Sequence, residues 1–249
     1  MVLDEKVVID ARGIHYTPLN ELIRQAVEDG ATEIVLKNVL GQRFIADALK
    51  ADVCIEIYGV PGGDLGMFMS GPVCIVHGNC EHAPGNTMDD GKIIIHGSTG
   101  DAAAHSMRGG KIFVRDYIGY RGGIHMKEYD QKKPILVIGK SAHSFLGEYM
   151  AGGLIILLGI DQKGPYFERG IGSGIHGGRI VIRGTVDDRY LGVGARKMEL
   201  DENMLCEIHS LVKEFCNYFN IDDKPLMDND YTVIGPSSSR PFAGKYTWE

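Results

Sequence analysis

Short β-branched runs recur along the middle of the chain at a fixed interval. They begin at Cys54 (CIEIYG), Val73 (VCIVHG), Lys92 (KIIIHG) and Lys111 (KIFVRD), each nineteen residues after the last. Two more start at Ile135 (ILVIGK) and Leu154 (LIILLG), again nineteen apart, and a seventh at Arg179 (RIVIRG). The two longer intervals place loop insertions around residues 128–133 and 163–169. Alternation along a strand sends successive side chains to opposite faces. One face then reads Ile55/Ile57, Cys74/Val76, Ile93/Ile95, Ile112/Val114, Leu136/Ile138, Ile155/Leu157 and Ile180/Ile182, an inward ladder. The other face is mixed: Lys92, Lys111 and Arg179 share it with an apolar stripe of Ile75, Ile94, Phe113, Val137, Ile156 and Val181. Such a stripe on the outside of a rod needs cover, from the chain's own ends or from another protein.

Glycines punctuate each run in register. Gly59, Gly78, Gly97, Gly159 and Gly184 stand five residues after a start, and Gly66, Gly85 and Gly147 stand twelve after, with Ala104 in the third unit. Met69, Met88, Met107 and Met150 follow at offset fifteen, where flexible thioethers suit core filling beside tight turns. Closing glycines come next, among them Gly110, Gly153 and Gly178. Two places depart from the pattern: Pro84–Gly85 in the second unit, and Arg121–Gly122–Gly123, out of phase, in the fourth.

A five-residue run ended by glycine is strand length, and the unit is too short for a helix pair. Propeller blades need about twice the length, and hexapeptide coils would repeat every six residues. The expectation is a mainly β fold: a right-handed parallel β-helix of about seven coils, a rod roughly 34 Å long at about 4.8 Å per coil. Both flanks read as caps, which solenoid ends require. Residues 17–29 place Leu19, Leu22, Ile23, Ala26 and Val27 on one helical face, with Pro18 in the first turn and Gly30 at the end, and a strand follows at residues 33–36. Residues 201–219 align Met204, Leu205, Ile208, Leu211, Val212, Phe215 and Phe219. The chain divides into an α/β cap (1–53), the Gly-rich β-helix (54–198), and a carboxyl-terminal helix with an extended arm (199–249).

Composition sharpens this picture. The 34 glycines in 249 residues are nearly twice ordinary usage, without the three-residue period of collagen. A formal charge of −7 and the lack of a basic stripe exclude nucleic acid and an anionic membrane surface as partners. The longest apolar run is far too short to span a bilayer, and the amino end has no signal-peptide pattern. Five cysteines, without a C-x-x-C pair, fit buried thiols in a reducing, cytoplasmic setting.

Most catalytic readings fail on the residues. PILVIGKS nearly spells a P-loop, but Pro134 occupies its first glycine slot and its spacer is a strand. The GIGSG run at residues 170–174 lacks the βαβ context of a dinucleotide site and reads as a coil corner. His77 and His96 stack on adjacent coils, yet Tyr58 and Arg115 stand where further metal ligands would be needed, so both are surface or interface residues. Asp89, Asp90, Asp101, Asp116, Asp187 and Asp188 lie in turns, where Asp is favoured for backbone bonding. They do not stack into the acid cluster of a polysaccharide-cleaving β-helix, which stays as an alternative. The expected site residues are therefore structural glycines and an interface of Ile75, His77, Ile94, His96, Phe113, Val137, Ile156 and Val181. No catalytic, cofactor or metal residue is assigned.

The units GEYMAGGLIILLG and GSGIHGGRIVIRG resemble the Gly-rich repeat domain at the carboxyl end of the glutamate synthase large subunit. So do Asn20–Ile23, Lys37–Val39, Gly41–Arg43, the LVKEFCNYFN helix and SSSRPF, which match the free-standing archaeal and bacterial version of that domain. The same repeat occurs in the C subunit of formylmethanofuran dehydrogenase, a second possible identity. The resemblance implies a part that is not catalytic alone, holding a glutamine amidotransferase and a flavin-containing synthase together. The chain begins Met-Val, without the amidotransferase's amino-terminal cysteine, and has no cysteine cluster for iron–sulfur ligation. FMN and iron–sulfur clusters are accordingly expected on partner subunits.

Overall fold

A computed structural model describes residues 6–239. The elements run β1 (Lys6–Asp10), α1 (Tyr16–Glu28), β2 (Glu33–Leu40), β3 (Cys54–Val60), β4 (Val73–His77), β5 (Lys92–Ile95), β6 (Lys111–Val114) and β7 (Tyr117–Ile118). They continue with β8 (Ile135–Ile138), β9 (Ser141–Ala142), β10 (Ala151–Leu157), β11 (Gly177–Arg183), β12 (Ala195–Met198), α2 (Glu202–Phe219) and β13 (Tyr231–Pro236). One eleven-stranded sheet carries the order β1-β2-β3-β4-β5-β6-β8-β10-β11-β13-β12. Neighbours are parallel from β1 to β11, and β13 lies antiparallel between β11 and β12. The result is a β-solenoid of about seven turns, with two α-helices among the described residues.

The strand register follows the repeat. Ile55 pairs with Cys74, Cys74 with Ile93 and Ile93 with Ile112, so equivalent positions stack from coil to coil. These inward side chains fill the lumen with Met69, Met88, Met107 and Met150, all fully buried. Of the two insertions, the first is a tight hairpin closed by a bridge between Tyr129 and Lys132.

Each coil turns its far corner by one device. Three alternating residues adopt positive φ: Phe44/Ala46/Ala48, Asp64/Gly66/Phe68, Ala83/Gly85/Thr87, Ala102/Ala104/Ser106, Arg121/Gly123/His125, Phe145/Gly147/Tyr149 and Gly170/Gly172/Gly174. Only the last triplet is all glycine. The third residue of each triplet donates its N–H to a carbonyl of the following coil, as Thr87 to His105 and Tyr149 to Ser173, so the corners form a ladder of their own. The middle position faces the lumen. A β-carbon on Gly147, at φ +68°, would lie 2.4 Å from Ile180 Cδ1.

This device corrects two expectations. Arg121–Gly122–Gly123 is in phase: Gly123 occupies the middle corner position, and Met126 takes the buried methionine slot of that coil. Pro84–Gly85 likewise leaves the corner intact, with Gly85 at φ +70°. The sheet and its corners also continue across residue 53, because β2 pairs with β3 and residues 44–48 form a full corner. The glycines five residues into each unit do not share one cause. Gly59 is needed both for its φ of +130° and for room, whereas Gly97 is needed for room alone, its β-carbon position lying 2.3 Å from Asn79 Oδ1.

Helix α1 buries Leu19, Ile23 and Ala26, and Gly30 at φ +98° ends the segment. Leu22, expected on the same face, is exposed. Helix α2 buries Ile208, Leu211, Val212, Phe215 and Cys216; Asp201 caps its start and Asn220 its end in the left-handed conformation. Residues 240–249 of the expected carboxyl-terminal arm lie outside the described residues.

Candidate docking surfaces and charged clefts

Helix α2 lies over the outer apolar stripe, and strand β13 extends that stripe within the sheet, Val233 pairing in register with Val181. Ile94, Phe113, Val137, Ile156 and Val181 are buried in a second core with Ile208, Leu211, Val212, Phe215 and Val233, and Ile75 packs at its edge. Phe113 meets Tyr218 at a ring-centroid distance of 5.1 Å. Of the two covers expected for the stripe, the chain's own carboxyl-terminal segment supplies it, which leaves these five residues unavailable for contact with another protein. Periodicity showed that both the stripe and the helix had an apolar face; contact between positions a hundred residues apart leaves no local signal.

Ion pairs frame this core. Glu214 of α2 accepts from Lys92 Nζ at 2.8 Å and from Lys111 Nζ at 2.6 Å, and these two lysines hold its carboxyl below the usual range against the opposing effect of burial. Lys92 also donates to the Tyr218 hydroxyl at 2.9 Å, and Lys133 donates to Glu207 at 2.6 Å.

His77 and His96 do stack, but within an aromatic column. Tyr58 and His77 lie 4.3 Å apart, His77 and His96 5.4 Å, and Phe219 closes the column edge-on at 5.1 Å from His96. Glu56 accepts from the Tyr58 hydroxyl at 2.8 Å and lies 3.2 Å from His77 Nε2. Burial holds the His96 pKa below the ordinary value, and the charges of His77 and Arg115 push it the same way.

The turn aspartates have structural partners. Asp89 pairs with Lys132, Asp90 accepts from the Gly91 N–H, and Asp101 accepts from the Tyr120 N–H at 2.9 Å. Asp187 caps a short helical turn and Asp188 pairs with Lys197 at 2.7 Å. Asp116 is gripped by Arg115 at 3.0 Å and Lys140 at 2.8 Å, which lower its pKa although burial opposes them. These three line a cleft of about 550 Å³ with Asp161, Arg183 and Leu226, where Arg183 is held by Asp228. A second cleft, about 470 Å³, is lined by Lys92, Lys111, Lys132 and Lys133, each already paired with a carboxylate. In both clefts the lysines and arginines are paired with carboxylates, so neither presents the unpaired cation that an anionic ligand would need.

The cysteines are unpaired and mostly buried, and burial pushes the Cys74 and Cys80 thiols up to about 12. Thiols so placed stay protonated and unreactive. No helix among the described residues is long and apolar enough to cross a membrane.

Sequence reasoning passed over one exposed surface. The corner edge carries Phe68, Tyr120 and Tyr149 in the open, with Tyr120 stacked on His143 at 4.9 Å and Tyr149 on His125 at 5.3 Å. The positive-φ triplets that hold Phe68, His125 and Tyr149 can be read in sequence only once the register of the corner is known.

A protein of Methanocaldococcus jannaschii, itself uncharacterized, is 58% identical over 253 residues, covering 98% of this chain and 97% of the relative. The family described as GXGXG motif matches residues 24–235. That span takes in all seven positive-φ corners, including Gly170–Gly172–Gly174, which spells the motif outright. The chain belongs to the GXGXG-motif family.

Proposed function

We propose that this chain is a non-catalytic structural subunit of a split glutamate synthase, holding a glutamine amidotransferase chain and an FMN-dependent synthase chain together in ammonia assimilation. The observation that carries the proposal is the GXGXG solenoid spanning residues 24–235, together with flanking segments that resemble the glutamate synthase repeat domain. The side-chain chemistry supports it: the charged clefts are internally paired and the buried thiols are inert. On this reading FMN and iron–sulfur clusters reside on the partner chains, and the cytoplasm is the working compartment. The covered outer stripe leaves the aromatic corner edge as the docking surface, since exposed Tyr and Phe are the side chains interfaces favour.

Co-expression of a tagged chain with amidotransferase and FMN-synthase chains tests the proposal. The expected result is a stable ternary complex in which glutamine hydrolysis depends on synthase turnover. Partner chains that assemble and couple fully without this chain would overturn it.

A further inference from the structure

Strand β1 ends the sheet, pairing with β2 on one side only among the described residues. A free edge is a template for another strand, and proteins usually blunt it. Here the five residues read Lys6-Val7-Val8-Ile9-Asp10. Lys6, Val8 and Asp10 face outward, and Val8 is 53% exposed at the centre of the edge. On the other face Val7 and Ile9 join Leu22, Ala26 and Ala31 in a mainly apolar groove of about 270 Å³ beside α1, which Gln25 and Asp29 also line. Leu22, 45% exposed, stands on the groove's rim.

The charge pattern selects the occupant. An antiparallel pairing of β1 with itself, about a two-fold axis at Val8, sets Lys6 opposite Asp10 of the second copy and Val7 opposite Ile9. The strand is thus complementary to its own reverse in both charge and apolarity, as an isologous interface requires. Lys6 keeps donors to spare beyond its bond to Glu33, and Asp10 keeps acceptor sites beyond those used by Asn38 at 2.8 Å and the Arg12 N–H at 3.0 Å. The two apolar grooves would abut across the axis.

We propose that β1 is a self-pairing edge through which two copies of the chain form a dimer with one continuous sheet. Sedimentation equilibrium of the full chain across micromolar to near-millimolar concentrations tests it, with circular dichroism confirming that each variant is folded. Wild type is expected to be dimeric. Lys6→Glu alone and Asp10→Lys alone each set like charges opposite one another twice, and each should weaken the dimer about tenfold or more. Mixing the two variants restores both opposite-charge pairs, so the mixture should form a heterodimer close to wild-type strength. Val8→Arg, at an exposed position the fold tolerates, should give a monomer. A monomeric wild type, single variants that dimerise as well as wild type, or a mixture no tighter than its components would each overturn the proposal.

Discussion

At Gly59 the backbone runs at φ +130°, and a β-carbon there would lie 2.0 Å from the Val39 carbonyl oxygen. Val39 is the register partner of Gly59 on the neighbouring coil, so the clash cannot relax without parting β2 from β3. Strain of about 1–2 kcal/mol for a non-glycine left-handed residue adds to an overpacking cost of about 1–3 kcal/mol. Gly59→Ala is therefore expected to lower stability by about 3 kcal/mol, read from urea unfolding; a loss under about 1 kcal/mol would show that the coils are looser than they look. His96 makes a different demand. Its folded pKa lies below the ordinary histidine value of 6.5, so as pH falls through 6.5 the unfolded chain binds a proton that the folded chain resists. Stability from this group is full above 6.5 and is lost as pH drops toward the depressed folded value. His105, lowered mainly by burial and then by His125, adds to the same acid loss. His96→Phe keeps a ring against Phe219 and removes the proton site. The urea midpoint should then fall less between about pH 7.5 and about pH 5.5 than in wild type. An unchanged fall would mean that other groups carry the acid sensitivity.

Helix α2 is held on the sheet by two kinds of contact, and their magnitudes rank them. Glu214 joins Lys92 and Lys111 with side chains a quarter to a third exposed, where solvent screens ion pairs to about 1 kcal/mol or less. Phe215 is fully buried, with its ring against Gly139 and Phe219. Truncating such a ring costs about 3–5 kcal/mol. Apolar burial thus dominates, while the lysines fix the helix's register along the sheet. Glu214→Gln should shift the unfolding midpoint slightly, whereas Phe215→Ala should both destabilise the chain and speed amide exchange throughout α2. Equal effects of the two substitutions would reverse this ranking.

Over the whole molecule, the repeat made the solenoid legible because a parallel ladder copies its register into sequence spacing. Ile55, Cys74, Ile93 and Ile112 stack as they are spaced. The coil before residue 54 was hidden because Phe44, Ala46 and Ala48 adopt the corner conformation without a single glycine. The cover of the outer stripe was hidden for another reason. Phe113 and Tyr218 each belong to a readable pattern, but nothing in either pattern names the other. That second core makes the carboxyl-terminal segment inseparable from the solenoid. Ending the chain after Met198 removes α2 and takes β13 from between β11 and β12. It uncovers Ile94, Phe113, Val137, Ile156 and Val181, whose burial at roughly 1.5–3 kcal/mol apiece is worth about 7–15 kcal/mol. A typical domain's entire stability is about 5–15 kcal/mol. The shortened chain is expected to aggregate, or to bind a hydrophobic dye and lose cooperative unfolding. A separately expressed peptide of residues 199–249 should rescue it by re-covering the stripe. If the shortened chain instead unfolds cooperatively at the wild-type midpoint, α2 is an appendage and the solenoid needs no second core.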